Sequence, residues 1–239
     1  MNTVERGRYR ARLAENPLDM DQVLALRRAV FRAGVAEDRD RFDQQCRHLM
    51  VEEVSGQLVG TLRMLTCAGV GISASYSAQF YDLAALVAFP EPMLELGRFA
   101  LEPRWHDPDI LRLVWVALRQ VVEGEGIGLL FGCTSFPGAQ PEAHVDALAL
   151  LAQQHLAPPR WRPDVKGQAF AFGRALAGHP VAVDRGLAQM PPLLRSYLAL
   201  GGWVSDHAVA DPDLDTLHVF TAVDVARIPA ARLRALKAL

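Results

Sequence analysis

Glu95 and Arg98 stand three residues apart in Glu95-Leu96-Gly97-Arg98-Phe99, inside a β-prone run from Met93 to Leu101 that leads straight into a capped helix. A carboxylate beside a substrate can act as general base, directly or through a water. Glu95 is the candidate for that task, with Arg98 as its catalytic companion. In a regular strand the two side chains point to opposite faces, so both reach one site only if the strand carries a bulge. The plain alternative is a Glu–Arg pair that only holds the fold.

Five residues upstream join this pair: Arg27, Phe31, Asp40, Asp43 and Arg63. Arg27 and Phe31 are one helical turn apart and share a face, so Phe31 can anchor in the core while Arg27 reaches the acidic stretch that follows. With Arg98 they make an ionic cluster. Such a cluster either binds an ammonium and a carboxylate or holds a loop over the site, and the residues alone leave both roles open.

The elements that must position these side chains alternate between helix and strand. Tyr9 to Leu13 reads as a strand, and Asp19 as the cap of a helix carrying Val23, Leu24, Leu26, Val30 and Phe31. Residues 36 to 47 read as a polar loop. Strands at 48–54 and 57–66 flank Ser55-Gly56 as a hairpin. After the strand at 93–101, Asp107-Pro108 opens a helix that ends near Gly124 to Gly128. Ile127 to Thr134 is a short buried-type strand, Pro141 to Leu156 a helix, 158–163 a proline-rich loop and Gln168 to Phe172 a strand. A helix at Pro191 to Leu200 and a strand at Leu217 to Val223 complete the order. The class is α/β or α+β with a mixed sheet, in one domain spanning 1–239 with a C-terminal extension from about residue 180.

With 25 Lys+Arg against 27 Asp+Glu, a net charge of −2, the chain has no excess of positive charge with which to bind nucleic acid. Cys46, Cys67 and Cys133 are an odd, scattered set that fits reduced thiols in the cytoplasm. Residues 1–13 carry four arginines but no apolar stretch of the signal-peptide kind. No window has the ~20 apolar residues of a spanning helix, which leaves only peripheral contact with the inner membrane. Gly124, Gly126 and Gly128 follow a helix and do not make a dinucleotide fingerprint, and Cys46 with His48 lacks the second ligand pair of a zinc site. His179 and Asp184 have an H-x-x-x-x-D spacing, but Phe89-Pro90-Glu91 lies upstream of them and continues to Pro92. The pattern points to no metal and no resident cofactor.

Arg27-x-x-x-Phe31, Asp38-x-Asp40-x-Phe42-Asp43, Gly60-Thr61-Leu62-Arg63 and Glu95-Leu-Gly-Arg98-Phe99 resemble, in order and spacing, motifs of acyl-homoserine-lactone synthases. A nearer resemblance is to the ornithine-acyl carrier protein N-acyltransferases. Phe42-Asp43-x-x-Cys46-x-His48, Tyr76-Ser77-Ala78-Gln79, Leu130 to Gly138 with Cys133 and Ser135, Pro191-Pro192-Leu193-Leu194-x-x-Tyr197-x-x-x-Gly201 and Asp211-Pro212-Asp213 resemble that group. The match runs from about Arg27 to Asp215. The resemblance implies a GNAT-like fold with a central mixed, mostly antiparallel sheet flanked by helices. It also implies transfer of a (3-hydroxy)fatty acyl group from acyl carrier protein to the α-amine of ornithine, or of a relative such as glutamine or lysine. Arg27, Phe31, Asp40, Asp43, Arg63, Cys133 and Ser135 are then candidate substrate-binding residues.

Aminolysis of a thioester needs an unprotonated amine and donors aimed at the tetrahedral oxyanion. Coenzyme A enzymes of this fold hold the pyrophosphate on a glycine-rich loop, whereas this chain has Arg104-Trp105-His106-Asp107-Pro108-Asp109 there. Two acids and no glycine favour a donor presenting the single phosphate of a carrier-bound 4'-phosphopantetheine. Carrier proteins are acidic, so Arg112, Arg119, Arg160, Arg162 and Lys166 are candidate docking residues. Tyr76, Phe80, Phe131 and Phe136 are candidates for the acyl lining. A signal synthase with S-adenosylmethionine as its amine, and a membrane-associated binding protein without turnover, stay open as alternatives.

Overall fold

The computed structural model describes residues 1–33, 36–105 and 107–237. His106, within the Arg104-Trp105-His106-Asp107-Pro108-Asp109 run, lies outside them. The first half of the chain runs β1 (Val4–Arg6), β2 (Tyr9–Leu13), α1 (Pro17–Phe31), β3 (Arg47–Glu53), β4 (Leu58–Cys67), β5 (Tyr81–Asp82), β6 (Met93–Leu101) and α2 (Pro108–Glu125). The second half runs β7 (Leu129–Pro137), α3 (Val145–Gln154), β8 (Asp164–Val165), α4 (Phe172–Ala175), α5 (Val183–Gln189), α6 (Pro192–Ala199), β9 (Trp203–Asp211), β10 (Thr216–Asp224) and α7 (Ala230–Lys237). The chain divides into two compact units. One holds 1–66, 94–127 and the segment from Ala230; the other holds 67–93 and 128–229.

In the first unit the strands lie in the order β1-β2-β3-β4-β6. Antiparallel ladders join β1 to β2, β2 to β3, and β3 to β4. Leu49, Met50 and Val51 are all buried, so β3 is covered on both faces and reads as a continuous apolar run. Gly60 in β4 leaves room for β6: a Cβ there would sit 3.1 Å from the end of the Leu101 side chain, which would have to give by a few tenths of an ångström. Helix α1 begins at Asn16, whose side chain accepts from the Asp19 N–H, with Pro17 in the first turn. The expected cap, Asp19, is instead inside the first turn, buried, and held by both terminal nitrogens of Arg12 at 2.8 and 2.7 Å. Helix α2 matches its sequence signals: Asp107 caps the Asp109 N–H at 2.9 Å, and Gly126 ends it with φ +64°.

In the second unit β7, β10 and β9 are neighbours in that order, and β5 pairs with β8. Strand β7 extends three residues beyond the expected Thr134. The expected strand at Gln168–Phe172 shrinks to one antiparallel bridge, Phe170 to Ala208, because Phe172 already starts α4. Residues 141–144 make a 3-10 turn before α3. Two apolar clusters fill this unit, one around Tyr81, Phe131 and Phe220 and one around Phe136, Leu148 and Phe172. The secondary structure is an α+β arrangement of sheet and flanking helices.

Candidate active site

Strand β6 carries the first element of the site and breaks its own rule. Arg98 has φ +49°, a left-handed conformation that a side-chain-bearing residue rarely adopts and that a strand does not contain. The alternation of β6 is therefore lost after Glu95 and Leu96, both buried. Residues 97–99 are only partly buried. Bulged or strained backbone of this kind concentrates at functional sites.

The guanidinium of Arg98 turns to the acidic loop after α1. Its Nε donates to Asp38 Oδ2 at 3.0 Å, and its Nη2 lies 3.5 Å from Asp40 Oδ2. Its charge sits 5.8 Å from the Phe31 ring centroid, within cation–π range. From α1, Arg27 donates to the same Asp38 oxygen at 2.7 Å and to Asp43 Oδ1 at 2.6 Å. Arg63 of β4 spans Asp40 Oδ1 at 2.6 Å and Asp43 Oδ1 at 3.0 Å. Arg32 adds a third donor to Asp38, at 3.2 Å. The expected cluster of Arg27, Asp40, Asp43, Arg63 and Arg98 is thus brought together in one unit.

Burial separates the members of this cluster by what they can touch. The Arg27 and Asp38 side chains are fully enclosed and Asp43 nearly so, whereas the Asp40 side chain keeps 24% of its surface open. Arg27 therefore braces the loop from within, and Asp40 is the cluster carboxylate with open surface. Burial would raise the Asp43 carboxyl, but Arg27, the Asp40 backbone amide and Arg63 outweigh it and hold Asp43 below the usual carboxylate range. Burial would lower the Arg63 guanidinium, yet Asp40 and Asp43 push it up instead. His48, enclosed beside Asp43 with Nε2 3.3 Å from its carbonyl, is lowered by burial and stays neutral.

Cys46 closes this neighbourhood. Burial pushes its thiol up to about 11, and the charges of Arg63, Glu95, Asp43 and Asp40 all reach it. Glu95 and the ionic cluster therefore share one electrostatic environment. Asp38, Arg32 and Cys46 were not singled out by charge pattern. Asp38 stood in the Asp38-x-Asp40-x-Phe42-Asp43 run, but a loop has no periodicity to say which acid turns inward.

Cys133 and Ser135 belong to the other unit. They share one face of β7, where Cys133 lies 3.6 Å from the Ser77 hydroxyl and Ser135 is exposed. Of the aromatic candidates, Tyr76 packs on Phe80 at 5.3 Å, and Phe80 and Phe131 join the cluster around Tyr81. Phe136 lies in the other apolar cluster, against His144. Beside Phe80 is a polar group that the sequence did not announce. The buried Tyr81 hydroxyl meets His218 Nδ1 at 3.0 Å and the His218 carbonyl at 2.8 Å, while Tyr76 reaches Asp211 at 3.3 Å.

The docking candidates are each engaged locally. Arg112 pairs with Asp109 at 2.8 Å, Arg119 with Glu123 at 3.8 Å and Arg162 with Asp206 at 3.5 Å. Arg160 stacks on Trp161, and the Lys166 ammonium donates to the Ala78 carbonyl. Among the described residues no group of three or more His, Cys, Asp or Glu has the arrangement of a metal site, and no helix is long and apolar enough to cross a membrane.

Residues 26–116 match the acetyltransferase (GNAT) domain family. The L-ornithine N(alpha)-acyltransferase of Rhodobacter capsulatus is 33% identical over 236 residues, 90% of this chain and 90% of its own length. The protein of the same name from Brucella abortus is 31% identical, over 86% of this chain and 76% of its own. The Agrobacterium fabrum one is 29% identical over 93% and 83%. Among solved structures, FeeM, an N-acyl amino acid synthase from uncultured soil microbes, superposes with a TM-score of 0.51 at 13% identity, covering 95% of this chain and 98% of its own. TofI in its apo form gives 0.52 at 14%, covering 95% of each. These two share the fold.

Proposed function

Since this chain belongs to the L-ornithine N(alpha)-acyltransferase family of GNAT enzymes, we propose that it moves a (3-hydroxy)fatty acyl group from acyl carrier protein to the α-amine of ornithine. Residues 1–239 act in this reading as a single acyltransferase domain. It works in the cytoplasm with its greasy product passing to the inner membrane, which the protein meets at its surface.

The observation that carries the proposal is the juxtaposition on β6 of a buried carboxylate, Glu95, with a left-handed Arg98 locked into an acidic loop. In the reaction the α-amine enters unprotonated, and Glu95 takes a proton from its nitrogen as it attacks, directly or through a water. The amine nitrogen bonds to the thioester carbon, and the carbonyl oxygen becomes an oxyanion, whose stabilisation this reading gives to backbone N–H groups at the kink of β6. Collapse breaks the C–S bond, and the proton held by Glu95 goes to the departing pantetheine sulfur. Asp40, the cluster carboxylate with open surface, suits an ammonium of the acceptor.

A carrier-bound donor is favoured by what occupies the start of α2. Asp107 caps the helix, and Asp109 sits in the first turn, its carboxyl held below the usual range by Arg112. Two carboxylates at that helix end repel a pyrophosphate, which such an end otherwise receives. Arg112, Arg119, Arg160, Arg162 and Lys166 are the basic residues offered to the acidic carrier, with Cys133 and Ser135 assigned to the substrate.

The test is a purified reaction with 3-hydroxyacyl carrier protein or the matching coenzyme A thioester, and with ornithine, glutamine or lysine, read by mass spectrometry. Acylornithine from the carrier-bound donor is expected. Absence of any acylated amino acid overturns the enzyme reading, and equal rates with the coenzyme A thioester overturn the donor assignment.

A further inference from the structure

Asp38 is the point on which the acidic loop turns. Its side chain is fully enclosed, and its two oxygens receive three arginines: Arg27 and Arg98 on Oδ2 at 2.7 and 3.0 Å, and Arg32 on Oδ1 at 3.2 Å. Arg27 and Arg32 come from α1 and the residue after it, 11 and 6 positions before Asp38; Arg98 comes from β6, 60 positions after it. The neighbouring Asp40 contacts Arg98 at the longer distance of 3.5 Å and has Arg63 as its near partner at 2.6 Å. The Arg98 guanidinium is thus set first by Asp38.

We propose that Asp38 is a positioning residue for acyl transfer: by holding Arg27 and Arg98 on one oxygen it fixes the guanidinium of Arg98, and through it the left-handed backbone three residues after Glu95. A non-glycine residue keeps φ +49° within a strand only where its surroundings over-determine it. Asp38, bonded to the guanidinium, and the Phe31 ring near it supply that constraint. Asp38 itself has no open surface and does not touch substrate. Its effect reaches the reaction through the peptide groups between Glu95 and Phe99, whose placement relative to the thioester a small displacement spoils. The inference rests on the acyl-transfer reading above.

Steady-state kinetics and melting of Asp38→Asn, Asp38→Glu, Arg98→Gln and the Asp38→Asn/Arg98→Gln double variant test it. Removing the charge in Asp38→Asn takes a charged partner from the enclosed Arg27 and the partly buried Arg32 and Arg98 and endangers folding, so Asp38→Glu, which keeps the charge and moves it by one methylene, is the second arm. The expected result is a Tm for Asp38→Glu near that of the wild type with kcat reduced about tenfold or more and KM for ornithine within about threefold. Where Asp38→Asn folds, its loss of kcat and that of Arg98→Gln do not multiply in the double variant, because both remove one device. Wild-type kcat in Asp38→Glu means that Asp38 only neutralises charge, and multiplying losses mean that it does not act through Arg98; either result overturns the inference. A wild-type protein without acyl transfer to any amino acid overturns the function itself and this role with it.

Discussion

His218 meets the hydroxyl of Tyr81 through Nδ1 at 3.0 Å, at a place where neither ring has more than a trace of exposed surface. The same hydroxyl lies 2.8 Å from the His218 carbonyl, which can only accept, so the hydroxyl donates there and His218 Nδ1–H donates to the phenol oxygen. The imidazole is then neutral, with an unprotonated and unpartnered Nε2. Burial lowers His218 to about 4 and drives Tyr81 well above 10.

Stability will consequently fall on mild acidification. The folded-state pKa of His218 lies below its unfolded value of 6.5, so the unfolded chain binds the extra proton between pH 6.5 and 4. The contribution is fully present above pH 6.5 and disappears toward pH 4, amounting to about 3 kcal/mol at most. His48 and His155 are lowered by burial too and act in the same sense. Tm measured from pH 7.5 to 5 should drop, and His218→Gln, which keeps a hydrogen-bonding group without titrating, should flatten the slope. An unchanged slope in that variant would remove His218 as the cause.

Glu95→Gln should abolish proton removal while keeping the size of the side chain. A loss of roughly 100-fold or more in kcat with intact folding is expected for a general base. Transfer at the wild-type rate, measured in single-turnover assays with acyl carrier protein, would transfer the role to another group.

Arg98→Gly and Arg98→Ala both delete the guanidinium, but only alanine must still hold a Cβ in the left-handed region. The glycine variant should be the more stable of the two by about 1 kcal/mol in urea melts, after allowance for the greater freedom of glycine in the unfolded chain. Equal stability, or a more stable alanine variant, would mean that the kink is not strained.

Arg27→Met would fill the same space and leave Asp38 and Asp43 enclosed with one fewer cation. Breaking a buried pair from one side costs about 3–5 kcal/mol, against near-neutral effects when both partners are replaced together. Chemical denaturation should place Arg27→Met in that range. A loss under 1 kcal/mol would contradict the enclosure of the pair.

Cys46, raised to about 11 by burial and by Glu95, Asp43 and Asp40 against Arg63, should react slowly. At pH 7.5 its thiolate fraction is about 100-fold below that of an ordinary thiol, so iodoacetamide labelling, followed by peptide mass spectrometry, should lag an unstructured cysteine peptide by about that factor. Glu95→Gln should quicken it. Labelling as fast as the peptide would place Cys46 in a different environment.

The local signals of the sequence were strong where chemistry and secondary structure coincide. Met93–Leu101 emerges as β6 with those same ends, and Asp107-Pro108 opens α2 as capping rules require. The spacing of Glu95 and Arg98 called for a break in β6 only if both serve one site, and the left-handed Arg98 is a break at that place. Strand β9 stayed unread because Ser205, Asp206 and His207 together oppose Phe220, between the pairs Val219–Ala208 and Thr221–Val204. That bulge destroys the alternation a strand is recognised by. Ser205 repairs it from its side chain, accepting from the Phe220 N–H at 3.1 Å and donating to the His207 carbonyl at 2.7 Å. Asn16 is the α1 cap although Asp19 carries a similar signal three residues on; Pro17 at the first helical position is the local mark of Asn16, and Asp19 is taken up instead by Arg12. Asp38 stands in the acidic run of the sequence, but its partner does not: its neighbours along the chain do not reveal that an arginine 60 residues away will meet it.

That last contact orders events in time. Arg27 and Arg32 can find Asp38 as soon as the first helix and its trailing loop exist, but the carboxylate is fully served only when β6 arrives. Closing so long an interval is slow compared with forming a helix or a hairpin. Arg27, Arg32 and Arg63 can therefore gather the acidic loop before β6 is delivered, whereas the Arg98 contact and Glu95 come only with that strand. A partly made unit with a finished active site does not arise.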